Sequence, residues 1–130
     1  MSHNTSLHLA ASYGYFEIVR TLFKHNADVN AESTSGRTPL HSASGNGHVD
    51  IVRFLLNHGA DPKARDNDQQ TSLHDASSSG HLDVARLLLE HGAEVDAEDK
   101  RGKTSYQFAL DEGHEEVIQF LLAHGAERRT

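Results

Sequence analysis

Apolar residues recur with helical spacing between about His48 and His58. They fall on one broad face, which comprises Val49, Ile51, Val52, Leu55 and Leu56. The opposite face carries Asp50, Arg53 and Asn57. Such a two-sided pattern predicts an amphipathic helix that buries one face against a core.

A second, shorter helix is predicted just before this one. Thr38 is a favourable N-cap, and Pro39 suits the first turn, where no amide donor is required. Gly47 supplies the left-handed residue that ends this helix. The longer helices end in the same way, at Gly59, Gly92 and Asn26. Asparagine is the residue other than glycine that best adopts this conformation, so the exception fits the rule.

All these landmarks return every 33 residues. The segment Thr-x-Leu-His-x-Ala occupies residues 5–10, 38–43 and 71–76, and residues 104–109 are a weaker copy. The glycines that end the first helices keep the same period, at Gly14, Gly47, Gly80 and Gly113. We therefore expect one array over residues 1–130, with repeats at about 5–37, 38–70, 71–103 and 104–130.

Helices of about ten residues are only marginally stable alone in water. Their apolar faces are expected to be buried by pairing within a repeat and by stacking on neighbouring repeats. Such stacking produces a solenoid rather than a closed globule.

Polar, turn-rich segments connect the repeats. Two of them contain a glycine, Gly36 or Gly102, whereas Gln69 stands at this place in the middle segment. We therefore expect the middle turn to differ and to use Asn67 or Asp68 instead. The segments are residues 31–37, 64–70 and 97–103.

One set of motifs runs through the repeats: T-P-L-H-x-A, G-H, I-V, L-L and G-A at a period of 33. In this set the chain resembles ankyrin repeats over essentially its whole length. The resemblance implies a mainly α fold, an ankyrin-repeat solenoid in which each antiparallel helix pair is followed by a projecting β-hairpin finger. Stacked repeats are then expected to form a curved array, with a concave surface made by the fingers and the first helices.

Ser72, His74 and Asp75 lie close together in the chain and are the residue types of a hydrolase triad. A catalytic constellation occurs once and converges on one substrate atom. Here the histidine recurs at His8 and His41 in the preceding repeats. We therefore predict no catalytic residues and no enzymatic activity.

The resemblance gives these histidines a structural role instead. It implies that His41 and His74, with Thr38 and Thr71, bond backbone or threonine groups and thereby link adjacent repeats. Such histidines are expected to be buried and neutral, with pKa values below about 6.5. Stability is then complete above that pH and falls in acid, where the unfolded chain takes up protons.

No metal ion and no cofactor is predicted, although the chain has 11 histidines. Zinc requires three or four ligands within about 2.3 Å of one point, and equivalent positions in a stack do not converge in this way. A pair such as His41 and His48 supplies too few ligands. Residues 66–68 lack the glycine and distal glutamate of a calcium loop, and residues 45–47 fit a helix end better than a phosphate loop.

Composition narrows the classes of partner. Lys and Arg number 12 against 19 Asp and Glu, and the net charge of −7 weighs against nucleic acid as a partner. No basic run indicates a membrane surface, and no stretch reaches the roughly 18 apolar residues that span a bilayer. The first residues lack a secretory signal, and the absence of cysteine fits a reducing compartment. We expect an intracellular protein, cytoplasmic or nuclear, that is monomeric as an isolated array.

Partner contacts are expected at surface positions that vary while the framework repeats. In proteins that these repeats resemble, such positions lie in the fingers and just before each first-helix glycine. The candidates here are Tyr13, Asn46, Ser79, Glu112, Thr34, Arg37, Arg65, Asn67, Asp68, Lys100 and Arg101. Tyr13 is the favoured aromatic anchor. An equally good interpretation is that Tyr13, Tyr15 and Phe16 cover the outer face of the stack.

The two outermost repeats differ. The fourth has Tyr106 and Gln107 in place of leucine and histidine and carries additional acids, which is typical of a capping repeat. The first is regular, so either it caps poorly or it was cut from a longer array.

The predicted function is non-catalytic binding of a protein partner through the concave face and the fingers. The alternative is an architectural spacer within a larger signalling or scaffold protein. Some ankyrin-like fingers are hydroxylated at an asparagine that follows valine, and Val29-Asn30 matches that site.

Overall fold

The computed structural model describes residues 5–129, where the chain forms eight α-helices in four pairs. They are α1 (Ser6–Tyr13), α2 (Phe16–Lys24), α3 (Pro39–Gly45), α4 (Val49–Asn57), α5 (Ser72–Ser79), α6 (Leu82–Glu90), α7 (Ser105–Glu112) and α8 (Glu115–Ala123). The helices of each pair contact one another; α1, α3, α5 and α7 stack in one row, and α2, α4, α6 and α8 in a second. The predicted mainly α solenoid is confirmed. Residues 1–4 and 130 of the predicted array lie outside the described part.

Each helix of the first row begins with a threonine cap. The Oγ1 atoms of Thr38 and Thr71 accept the backbone N–H groups of His41 and His74, both at 3.4 Å. In return, Nδ1 of each histidine accepts the backbone N–H of its threonine, at 3.0 Å. This reciprocal arrangement satisfies two amide groups that a helix start leaves without partners.

The helices are ended by residues in the left-handed backbone conformation, as the sequence predicts. Gly47 has φ 73° and Asn26 has φ 68°. Gly47 is required for a second reason, because a Cβ at this position would lie 2.7 Å from the ring of His81 in the next repeat. The glycine therefore both ends a helix and permits close approach of the following repeat.

The prediction of β-hairpin fingers is wrong, because the structure assigns no β-strand anywhere in residues 5–129. We call residues 32–37, 65–70 and 98–103 the first, second and third finger segments. Each is a tight turn: in the first, Ser33 N–H donates to the Arg37 carbonyl and Gly36 N–H donates to the Ser33 carbonyl, both at 2.9 Å. One closing pair of residues is too short to form a ladder of strands.

The expectation for Gln69 was also wrong. Gln69 itself adopts the left-handed conformation, with φ 63°, so the second finger segment has the same turn as the others. The turn is held by Asp66, whose Oδ1 atom accepts the N–H groups of Asp68 and Gln70 at 2.8 and 2.9 Å. These two bonds compensate for the strain of a left-handed residue with a side chain.

The core is a thin layer between the two rows and between neighbouring repeats. Leu40 and Leu73 of the first row are fully buried, as are Val52 and Val84 of the second row. None of the helices described in residues 5–129 is long and apolar enough to cross a membrane.

Candidate partner-binding surface

The repeated histidines link one repeat to the next. Nε2 of His41 lies 3.0 Å from the Gln70 carbonyl at the end of the second finger segment. Nε2 of His74 lies 2.9 Å from the Lys103 carbonyl. Since Nδ1 of each ring accepts an amide N–H, the proton is on Nε2, which donates to the carbonyl.

Burial keeps these two histidines neutral. It lowers the pKa of His41 to about 4 and also lowers the pKa of His74, in each case more than the hydrogen bond to the carbonyl raises it. A proton on Nδ1 would face the amide N–H that this atom now accepts, which disfavours the charged form further. Both directions agree with the sequence-based expectation.

Ser72, His74 and Asp75 do not form a catalytic relay. Both ring nitrogens of His74 bond to backbone groups, and Asp75 is paired with Arg37 rather than with a histidine. Among the described residues, no group of three His, Asp or Glu side chains converges as a set of metal ligands.

Arg37 was expected on the partner surface but is half-buried in a charge network. Its guanidinium donates to Oδ2 of Asp66 at 2.9 Å and to Oδ2 of Asp75 at 2.7 Å. Burial disfavours its charge, but the two carboxylates outweigh that and raise the pKa of Arg37. Burial raises the pKa of Asp75 to about 6, although Arg37 opposes this shift. The sequence pattern did not predict this pair, although Asp75 is distinctive because the other repeats have no acid at the equivalent position.

The first two finger segments are joined edge to edge. Asn67 N–H donates to the Ser35 carbonyl at 2.9 Å, and its side-chain Nδ2 donates to the Thr34 carbonyl at 3.0 Å. Thr34 and Asn67 thus combine an exposed position with a structural bond.

The second and third finger segments are joined in the same way. Lys100 N–H donates to the Asp68 carbonyl at 2.9 Å, and Lys100 Nζ lies 2.6 Å from Asp68 Oδ1. Arg65 Nη1 donates to the Glu98 carbonyl at 2.8 Å. The three segments therefore form one continuous edge rather than three independent loops.

The first-row helices hold the four predicted helix positions, Tyr13, Asn46, Ser79 and Glu112, at the surface. Tyr13 is 65% exposed, and its ring centroid lies 5.9 Å from that of Tyr15. Asn46 donates from Nδ2 to the Ser42 carbonyl and to Ser12 Oγ, so it also bridges two repeats.

Asn30 is held by structural bonds. Its Nδ2 donates to the Gly59 carbonyl, and its Oδ1 accepts the Asp61 N–H, both at 2.9 Å.

A cleft of about 340 Å³ opens between the second and third finger segments and the helices α5 and α7. The residues that line it include Gln70, Ser78, Asp99, Phe108 and Glu112. We call it the Asp99 cleft. Asp99 lies in the third finger segment but was not among the predicted contact residues, and Phe108 lies neither in a finger segment nor just before a first-helix glycine.

Comparison with known families gives one result. A family model described as "Ankyrin repeats (3 copies)" matches residues 2–66 and again residues 64–129. No curated protein matches the chain.

Proposed function

The chain belongs to the ankyrin-repeat family, whose repeats are generally protein–protein interaction modules, and on this premise we propose that it binds a protein partner. We infer that binding uses the concave surface made by the three finger segments and the helices α1, α3, α5 and α7. We also propose that the protein acts without catalysis or a cofactor, and that it acts in the cytoplasm or nucleus as a monomeric array.

The observation that carries this proposal is the contrast between framework and surface. The repeated residues such as Thr38, His41 and Leu40 are buried. Of the predicted contact residues, all except Arg37 are exposed, and their identities change from one repeat to the next. A constant interior with a varied rim is the arrangement in which one scaffold serves different ligands.

The bonds between finger segments support the same proposal. Asn67, Lys100 and Arg65 fix the three turns relative to one another before any partner arrives. A surface held in one conformation loses less conformational entropy on binding, so more of the contact energy appears as affinity.

Affinity capture from cell lysate with the full chain tests the proposal. The variant Tyr13→Ala/Asn46→Ala/Arg65→Ala changes the proposed surface, and we expect it to lose the captured protein. The matched control Lys24→Ala/Arg53→Ala/Asp83→Ala changes three exposed residues of the second helix row, and we expect it to retain that protein. Equal capture by both variants would contradict the proposed surface, and capture of nothing specific would favour the architectural spacer.

A further inference from the structure

Arg37 shows how this fold holds a guanidinium group between two repeats. The cation lies between Asp66 of the second finger segment and Asp75 of α5. Asp66 is positioned by its own turn, because Oδ1 accepts the N–H groups of Asp68 and Gln70. This leaves Oδ2 of Asp66 for the arginine.

The next groove, between the third and fourth repeats, has the same acid without the cation. Adding 33 to the three numbers gives Gln70 in place of Arg37, Asp99 in place of Asp66, and Phe108 in place of Asp75. The arginine and one of its carboxylates are thus replaced by an uncharged amide and a phenyl ring.

Asp99 keeps the geometry of Asp66. Its Oδ1 atom accepts the N–H groups of Arg101 and Lys103, both at 2.9 Å. The side chain is deeply placed, with 8% of the residue exposed, and it lines the Asp99 cleft. Within residues 5–129, no hydrogen bond or ion pair reaches Oδ2 of Asp99, the atom equivalent to the one that binds Arg37.

The two lysines at the cleft are already occupied. Lys100 Nζ lies 2.6 Å from Asp68, and Lys103 Nζ lies 2.7 Å from Asp111. Neither lies within ion-pair distance of Asp99. Among the described residues, no cation is therefore paired with the Asp99 carboxylate, which can bind an incoming cation instead. Glu112 is a second acid at the rim of the cleft.

Phe108 adds a second feature that suits a planar cation. Its ring is half-buried, packs edge-on against His74 at 4.9 Å, and lines the cleft. Arginine stacks on aromatic rings and forms directed hydrogen bonds with carboxylates, whereas lysine acts as a hydrated point charge. A carboxylate ligand would meet Lys100 and Lys103, which are already paired with acids, and the exposed Arg101 at the tip of the third finger segment.

We propose that the Asp99 cleft binds an arginine side chain of the protein partner. The guanidinium lies between the Asp99 carboxylate and the Phe108 ring, in the place that Arg37 occupies one repeat earlier. The proposal rests on the proposed function only in assigning this arginine to a partner protein. The cleft itself is tested without that partner.

The first test is an NMR titration of the full chain with N-acetyl-arginine amide. We expect weak, saturable shifts of the backbone amides of Arg101, Lys103 and Phe108. N-acetyl-lysine amide should bind more weakly, and N-acetyl-glutamate amide should cause no shifts there. Shifts confined to other surfaces, or stronger binding of the glutamate probe, would overturn the proposal.

Asp99→Asn removes the charge and keeps an oxygen that accepts the two turn amides. We expect it to weaken binding of the arginine probe about tenfold, as for loss of one charge-assisted bond. The matched control Asp83→Asn removes an exposed acid of the second helix row that does not line the cleft, and it should retain most of the affinity. Equal losses would indicate a general charge effect and overturn the assignment to Asp99.

A second variant keeps the test decisive even where Asp99→Asn perturbs the turn. Gln70→Arg places a guanidinium at the position of Arg37, so it should fill the cleft from within. We expect it to abolish the probe shifts and to raise the urea midpoint, whereas Gln70→Met should do neither. Undiminished probe binding by Gln70→Arg would overturn the proposal. Probe binding by a chain that captures no partner would contradict the proposed function alone.

Discussion

The middle of the stack and its outermost repeats use the same repeat positions differently. Ile18 in α2 is 50% exposed, whereas its counterparts Ile51, Val84 and Val117 are at most 1% exposed. At the other end, Leu110 in α7 is 43% exposed, and its counterparts Ala11, Ser44 and Ser77 are fully buried. A repeat position is therefore core only when a neighbouring repeat covers it.

The two outer faces also differ from one another. The first repeat keeps the aliphatic residue, Ile18, that later repeats bury against the repeat before them. The fourth repeat changes the residues that face onward: Leu110 replaces a small residue, and Gln107 replaces the linking histidine. The fourth repeat thus departs from the interior pattern at residues that face onward, whereas the first repeat retains that pattern at Ile18.

The largest expected difference in the free energy of unfolding is between alanine variants of two equivalent isoleucines. Ile51→Ala removes a fully packed side chain in the second repeat and should lower the free energy of unfolding by about 3 kcal/mol. Ile18→Ala removes a half-exposed one and should cost less than about 1 kcal/mol. Urea unfolding of the two variants measures this, and equal losses would show that Ile18 is buried in solution.

The linking histidine gives a smaller contrast. His41→Gln copies the residue that the fourth repeat has at Gln107, whose Oε1 accepts the Thr104 N–H at 3.0 Å. The cap should survive, but the bond to the Gln70 carbonyl should be lost, at a cost of about 2 kcal/mol. The reverse change, Gln107→His, has no onward carbonyl to bond among the described residues and should change stability by less than about 0.5 kcal/mol. A similar cost for both changes would mean that capping, not linkage, is what the histidine supplies.

Acid should weaken the interior repeats through the same histidines. The folded pKa of His41 is about 4 because of burial, and the unfolded value is about 6.5. Below pH 6.5 the unfolded chain binds a proton that the folded chain does not, so stability falls. At pH 5.5 His41 alone accounts for a loss of about 1.4 kcal/mol relative to pH 7.5, and His74 adds to it.

Asp75 should have the opposite effect on folding stability as the pH falls. Burial raises its folded pKa from 3.8 to about 6, so the folded chain takes up this proton first and gains stability as the pH falls. Asp75→Asn removes that gain, and we expect the loss between pH 7.5 and 5.5 to increase by about 1 kcal/mol. Urea melts of both proteins at the two pH values test this. A smaller pH effect in Asp75→Asn would contradict the assignment.

Local rules account for what could be predicted from the sequence. Thr38, Gly47 and the spacing of apolar residues place the helices to within a residue or so, because caps and amphipathic faces depend on neighbours in the chain. The finger segments were harder. The turn at Gln69 depends on the Asp66 side chain, and no local propensity rule assigns a left-handed conformation to glutamine.

The candidate surface was predicted only as a set of exposed positions. Arg37 pairs with residues 29 and 38 positions away, and these distances close only when two repeats stack. The Asp99 cleft was missed for the same reason. This cleft differs from the preceding groove because it has no cation in the place of Arg37. That difference can be recognised only once the structure shows what Arg37 binds.

The last expected effect is a gain in stability at one repeat position of the interior repeats. The Oγ atoms of Ser44 and Ser77 are buried and have no hydrogen-bond partner in the described structure. A buried hydroxyl without a partner loses its hydration and gains nothing in return. Ser44→Ala and Ser77→Ala should therefore each stabilise the protein by about 1 kcal/mol. The first repeat already has Ala11 at this place, so Ala11→Ser should cost a similar amount. A loss of stability in both serine variants would mean that each hydroxyl bonds a backbone carbonyl or a water molecule in solution.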